Sequence, residues 1–197
     1  MAAAAPPHVT FLGPDWVQVQ SHATKEKIAF RLSGLCFANA HRDESGKPEG
    51  RVCFWVHRAD GGVHSEPSGH PSIAARGEED AILCQLYDAL ESKGVSDAIL
   101  LHGRDETAFS VMIPKHVVSH TVEFDSAIGW NCTVQCCSGS FWIADSEQKG
   151  NESRERAISD FDEVTAMLAG IERKDAKKRS STSESVGSAS PKKNRSD

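Results

Sequence analysis

The residue types most able to do chemistry here are the six cysteines and nine histidines. Cys132, Cys136 and Cys137 crowd one short segment, with His116 and His120 upstream, and the set invites a zinc reading. The spacing argues against it. Structural zinc sites favour gaps of about two to four residues in paired knuckles. Here C-x3-C-C lies in a segment that reads as a strand, where Cys136 and Cys137 point to opposite faces. At most one of that pair can join Cys132 or Cys84 without distortion, so no metal ligand is expected. Cys36, Cys53 and Cys84 sit inside apolar runs (LCF, VCF, ILCQL) and read as small buried hydrophobes.

Nucleophilic catalysis needs a base within hydrogen-bond reach of a serine or cysteine. None of the candidate pairs lies in a local motif such as G-x-S-x-G, and His57, His64 and His70 read as one strand residue and two loop residues. Phosphate cradles of the G-x-G-x-x-G or GK[ST] type are absent. No catalytic residue, cofactor site or metal site is therefore predicted, and the chain is expected not to be an enzyme. A small Cys/His hydrolase is the least favoured alternative. The residues best suited to binding are tryptophans, which are enriched in interface hot spots. Trp55 and Trp142, flanked by apolar neighbours, read as core. Trp16 and Trp130, each beside a turn signal, are the candidate protein-binding aromatics.

Period-two alternation marks the elements that position these residues. His8 to Leu12 and Asp15 to Gln20 flank Gly13-Pro14 as a hairpin, and Lys27 to Asn39 reads as one long strand with a bulge or bend at Gly34. Arg51 to Arg58 reads as a further strand, with a polar loop before it over 41–50 and the turn Asp60-Gly61-Gly62 after it. Val63 to Gly77 has no clear period and reads as a surface loop. Glu78 to Lys93 then places acids where a helix dipole favours them, followed by Ile82, Leu83, Leu86 and Leu90 at helical spacing and the stop Gly94. Four or five more short strands follow in Asp97 to His102, Thr107 to Pro114, Val117 to Phe124 and Trp130 to Ala144, the last broken at Ser138-Gly139. Connections this short demand antiparallel neighbours. A second helix is expected from Ile158, Phe161, Val164, Leu168 and Ile171, with Ser159 and Asp162 as a capping box. The fold class is α+β: a single domain of mainly antiparallel sheet with one internal and one C-terminal helix, followed by a disordered tail. Its divisions are a flexible leader (1–7), the α+β domain (8–175) and a basic, Ser-rich tail (176–197).

Charge separates body from tail. Residues 1–150 carry 12 Lys+Arg against 19 Asp+Glu, a net of −7, and residues 176–197 carry 6 against 2, a net of +4. An acidic body has no means of neutralising several phosphates, so it is not expected to grip nucleic acid; a basic protein partner suits it better. No run approaches the roughly 18 to 20 apolar residues of a membrane span, and neither a membrane nor a secretory role is expected. In the tail, Lys177-Lys178-Arg179, twelve residues, then Lys192-Lys193-Asn194-Arg195 resemble a bipartite nuclear localisation signal. Lys177, Lys178, Arg179, Lys192, Lys193 and Arg195 are its expected contacts with an import receptor. Ser190, in Ser-Pro-Lys-Lys, resembles a proline-directed kinase site and Ser181 a basophilic one. Phosphate at Ser190 would set about −1.5 to −2 charge beside the second basic cluster. These features point to a nuclear, phosphoregulated interaction domain serving a chromatin, kinetochore or transcription assembly as subunit or adaptor. The alternative is a cytosolic assembly chaperone or complex subunit.

Overall fold

The computed structural model describes residues 6–42, 48–57, 71–103, 106–127, 129–145 and 157–183. Among them, alternation at period two becomes three sheets, in which every ladder but one is antiparallel. The first is a meander of β1 (Val9–Phe11), β2 (Trp16–Gln20) and β3 (Lys27–Arg31). The central sheet contains β4 (Leu35–Arg42), β5 (Pro48–Val56), β6 (Ser72–Ala74), β7 (Ile99–His102) and β8 (Ala108–Met112), in the order β6-β5-β4-β8-β7. The third, ordered β12-β11-β10-β9, contains β9 (Val117–Asp125), β10 (Gly129–Cys136), β11 (Gly139–Asp145) and β12 (Ala157–Ile158). Helix α1 spans Glu79–Ser92 and α2 spans Phe161–Ser183. The α+β class with one internal and one C-terminal helix is as expected. No helix among the described residues is long and apolar enough to cross a membrane.

Two cores divide along the central sheet. One joins Leu35, Ala38, Val52, Phe54 and Val111 to the α1 residues Ile82, Leu83, Leu86 and Leu90 and to Val17, Val19 and Phe30 of the meander. The other joins Cys36, Phe37, Trp55, Leu101 and Met112 to Cys132, Val134 and Ile143 of the third sheet and to Phe161, Val164 and Leu168 of α2. Neighbouring residues of one strand feed opposite cores because successive side chains leave a strand on opposite faces. Strand β8 is accordingly buried at every position.

The structure departs from the sequence reading at several places. Lys27 to Asn39 is two strands in two sheets, separated by a 3-10 turn at Leu32–Gly34. Asp15 holds that corner: its carbonyl accepts from Leu32 N at 2.7 Å, and its carboxylate accepts from Ser33 N at 2.9 Å and the Ser33 hydroxyl at 2.7 Å. Gly34 is there for close approach, since a Cβ would stand 3.2 Å from the His57 carbonyl oxygen. Strands β4 and β5 run into the expected 41–50 loop from both sides. Ser72–Ala74, expected as loop, pairs with β5; at three residues it is too short to show a period. Ile158, expected in the helix, lies in β12, the one strand paired in parallel, on β11. Helix α2 begins after it, with Val164 N donating to the Asp160 carbonyl, and the Ser159 hydroxyl turns to the Asp160 carboxylate instead of forming a capping box. The expected tail boundary at 175 also moves, because α2 continues to Ser183 and carries Lys177, Lys178, Arg179 and Ser181 as helix. The expected Asp60-Gly61-Gly62 turn, Ser190, Lys192, Lys193 and Arg195 lie outside the described residues.

Glu78 welds the meander to the start of α1. Its carboxylate accepts from the Ser21 hydroxyl and His22 N, both at 2.8 Å, and from Ala23 N at 3.1 Å. Burial alone would raise its pKa, but the donors from Ser21, Ala23 and His22 outweigh that and hold it below the ordinary glutamate value. A depressed folded pKa gives stability that is complete above the unfolded value and is lost as pH falls through the folded one. Glu78→Gln is therefore expected to cost about 1 kcal/mol at pH 7, at the low end for a charged acceptor because the group is partly exposed. Urea unfolding across pH should show the variant and the parent converging in acid. In the second core, Phe37 stacks on Trp55 at 4.1 Å and meets Phe141 at 4.6 Å. Phe37→Ala is expected to destabilise by about 3 to 5 kcal/mol in the same assay.

Candidate functional site

Four side chains from four separate segments converge where the central and third sheets meet. Cys36 is the second residue of β4, His57 follows the end of β5, His116 ends a 3-10 turn at Pro114–His116, and Cys137 occupies the tight turn between β10 and β11. Cys136 pairs with Gly139, which makes Cys137-Ser138 a two-residue hairpin loop. That loop explains the divergence of two adjacent cysteines: Cys136 ends a strand and is buried in the core, whereas Cys137 turns out of the ladder.

The backbone holds these segments together. His57 N donates to the Gly34 carbonyl at 2.8 Å, Ile113 N to the Cys36 carbonyl at 3.0 Å, and Cys137 N to the His116 carbonyl at 3.1 Å. The side chains then meet: Cys36 Sγ lies 3.5 Å from Cys137 Sγ, Cys137 Sγ lies 3.7 Å from His116 Nδ1, and His57 Nε2 touches Cys137 Sγ. One donor atom from each residue lies within 4.8 Å of the other three. Cys36 is buried, and His57, His116 and Cys137 are half-buried.

The electrostatics suit neutral groups. Burial pushes the Cys36 thiol up to about 12, against the Ser138 hydroxyl and backbone N–H, which favour its thiolate. Burial, with the charge of Lys115, pulls the His116 pKa below the ordinary histidine value. Burial likewise raises Cys136 to about 12.

The sequence reading named no metal ligand; the fold brings these four ligand-type side chains together. Cys136 and Cys137 do diverge, but because Cys137 lies in the hairpin turn and not because both sit on one strand. What the sequence reading missed is that Cys137 joins remote partners, Cys36 at 101 residues' separation and His57 at 80, in place of the nearby Cys132, which is buried in the second core. His120, weighed beside His116, lies on β9 opposite Val134 and is not one of the four.

The tryptophans are sorted by the sheets. Trp55 is 9% exposed and Trp16 and Trp130 are each 44% exposed. Trp142 is half-buried, its Nε1 donating to Asn131 Oδ1 at 3.1 Å. Arg31 lies over the Trp16 ring at 5.7 Å, and Trp130 meets Phe124 edge-on at 5.4 Å. Val122, Phe124 and Trp130 share one face of the third sheet, since Trp130 pairs with Phe124 and Cys132 with Val122; all three are exposed. Between the central and third sheets lies a cavity of about 280 Å³ with walls that include Trp55, Phe109, Phe141 and Trp142. Comparison with protein-family models, curated proteins and solved structures finds no match.

Iodide quenching of variants that each retain a single tryptophan checks this sorting. Trp16 and Trp130 are expected to be quenched several-fold more strongly than Trp55, and equal quenching of all would contradict the arrangement.

Proposed function

We propose that the body is a protein-binding module, a subunit or adaptor of a nuclear assembly, which meets its partner along β9. The observation that carries this reading is the edge position of β9 together with its exposed Val122 and Phe124 and the exposed Trp130 beside them on β10. An edge strand offers a row of backbone donors and acceptors to an added strand, and side chains at alternate positions supply specificity. Here β9 supplies an aliphatic residue and a ring, and Trp130 of β10 adds a second ring beside Phe124, the types that anchor interfaces. Glu123 and Asp125 alternate with Val122 and Phe124 along β9, and the −7 charge of residues 1–150 favours a basic partner segment. Trp16, on the meander, is a second exposed aromatic.

The basic clusters at Lys177 to Arg179 and Lys192 to Arg195 are the address of this reading. An import receptor takes such clusters in extended form, so the end of α2 that carries Lys177, Lys178 and Arg179 has to unwind for capture. Its Ser-Ser-Thr-Ser ending has weak helix propensity and keeps that cost low. Phosphate at Ser190 or Ser181 would oppose the receptor's acidic pockets.

Two sets of substitutions in the full chain separate module from address, with location read by microscopy and partners by crosslinked affinity capture. Phe124→Ala with Trp130→Ala is expected to lose at least about tenfold of the captured partner while the chain stays nuclear. Lys192→Ala with Lys193→Ala is expected to leave capture intact and to abolish nuclear accumulation. Unchanged capture overturns the β9 surface. Unchanged location together with cytosolic partners overturns the nuclear reading in favour of a cytosolic assembly subunit.

A further inference from the structure

The geometry points to a structural zinc site formed by Cys36, His57, His116 and Cys137. A tetrahedral zinc ion with bonds of about 2.3 Å to sulfur and about 2.0 to 2.1 Å to nitrogen sets donor atoms about 3.3 to 3.8 Å apart. The 3.5 Å between the two sulfurs and the 3.7 Å from Cys137 Sγ to His116 Nδ1 fall in that range, the His57 Nε2 contact with Cys137 Sγ is closer and has to open to it on binding, and all four donors already lie within 4.8 Å of one another. The donor set is selective: thiolate and imidazole suit zinc, whereas magnesium and calcium require oxygen ligands.

Charge closes the argument. Two thiolates and two neutral imidazoles cancel the dication, so the filled site is neutral, as a half-buried position between two sheets requires. Binding forms two Zn–S and two Zn–N bonds and releases two thiol protons to solvent, with no change of oxidation state. Ser138 fits the same picture. Among the described residues its buried hydroxyl has no hydrogen-bond partner of ordinary geometry, and a thiolate at Cys36 supplies an acceptor. Four protein donors leave no open coordination position, which makes the ion a clamp instead of a Lewis acid for substrate. Cys36 and His57 belong to the central sheet and its connections, and His116 and Cys137 to those of the third, so the ion ties the two sheets together. A Cys36–Cys137 disulfide would use the same sulfurs, but it needs an external two-electron oxidant and leaves both histidines without a role.

The test uses the full chain, purified under reducing conditions from cells supplied with zinc. Elemental analysis is expected to find about one zinc per chain, and rebinding of zinc to the stripped chain should release about two proton equivalents. Cobalt added to the stripped chain should give the intense visible bands of a tetrahedral ion and a near-ultraviolet thiolate-to-cobalt charge-transfer band sized for two cysteines. Cys137→Ser and His116→Asn are each expected to weaken zinc binding by about a hundredfold or more, and Cys132→Ala to leave it unchanged. The unsubstituted chain's cobalt spectrum decides the matter even where a variant fails to fold. Absence of stoichiometric zinc, cobalt binding without thiolate charge transfer, a native mass two units low from a Cys36–Cys137 disulfide, or loss of binding in Cys132→Ala but not in Cys137→Ser would each overturn the site.

Discussion

Strand β4 sends Leu35 and Ala38 into one core and Cys36 and Phe37 into the other, and everything else is placed by the need to cover both of its faces. A strand with apolar residues on one face can be satisfied by a single layer of helix or sheet. This one cannot. Helix α1 and the meander close the first face, and the third sheet with α2 closes the second. The aromatic stack of Phe37 on Trp55, capped by Phe141, lies at the second closure. Burial on both faces is more usual for parallel sheets between helices; here an antiparallel sheet achieves it with a helix-backed meander on one side and a second sheet on the other.

The elements legible in the sequence were those that obey a period for several residues. The first hairpin, α1, β7, β8 and the β9 to β11 meander all do. Legibility failed where a tertiary constraint outweighed local pattern. The alternation from Lys27 onward continues in sequence across the corner at Leu32–Gly34, so nothing periodic reports that Asp15 has pinned the chain there and sent it to another sheet. Strand β12 is two residues long and exists because β11 and the start of α2 give it a place. The end of α2 was read as tail because its composition cannot build a core, but a helix docked by Phe161, Val164 and Leu168 can propagate past its last packed residue.

The four-residue cluster was illegible for a different reason. Metal motifs are recognised by short spacing, and here the two nearest pairs in sequence, Cys36 with His57 and His116 with Cys137, are each 21 residues apart. Two weaker signals were present: Gly34, two residues before Cys36, and Ser138-Gly139 directly after Cys137. In sequence the first reads as a bulge or bend and the second as a strand break; each marks a backbone approach that delivers a thiol to the same spot. The third sheet carries both this cluster's Cys137 and the exposed Phe124 and Trp130, so whatever fixes that sheet on the central one also fixes the direction in which its edge faces.

The pairing of β4 with β8 has a kinetic meaning. The Ser110 hydroxyl reaches the Ala38 carbonyl at 2.8 Å across 72 residues of sequence. Chain-closure entropy has to be met before such a contact is rewarded, which places long-range pairing among the slow steps of folding. On a ribosome adding about 5 to 20 residues each second, β4 and β5 emerge as a hairpin with only the earlier meander to meet its first face and nothing for its second, and wait several seconds for β8. The second face waits longer still, until the third sheet and Leu168 have been made. The doubly apolar strand that organises the finished molecule is thus, during synthesis, its most aggregation-exposed segment.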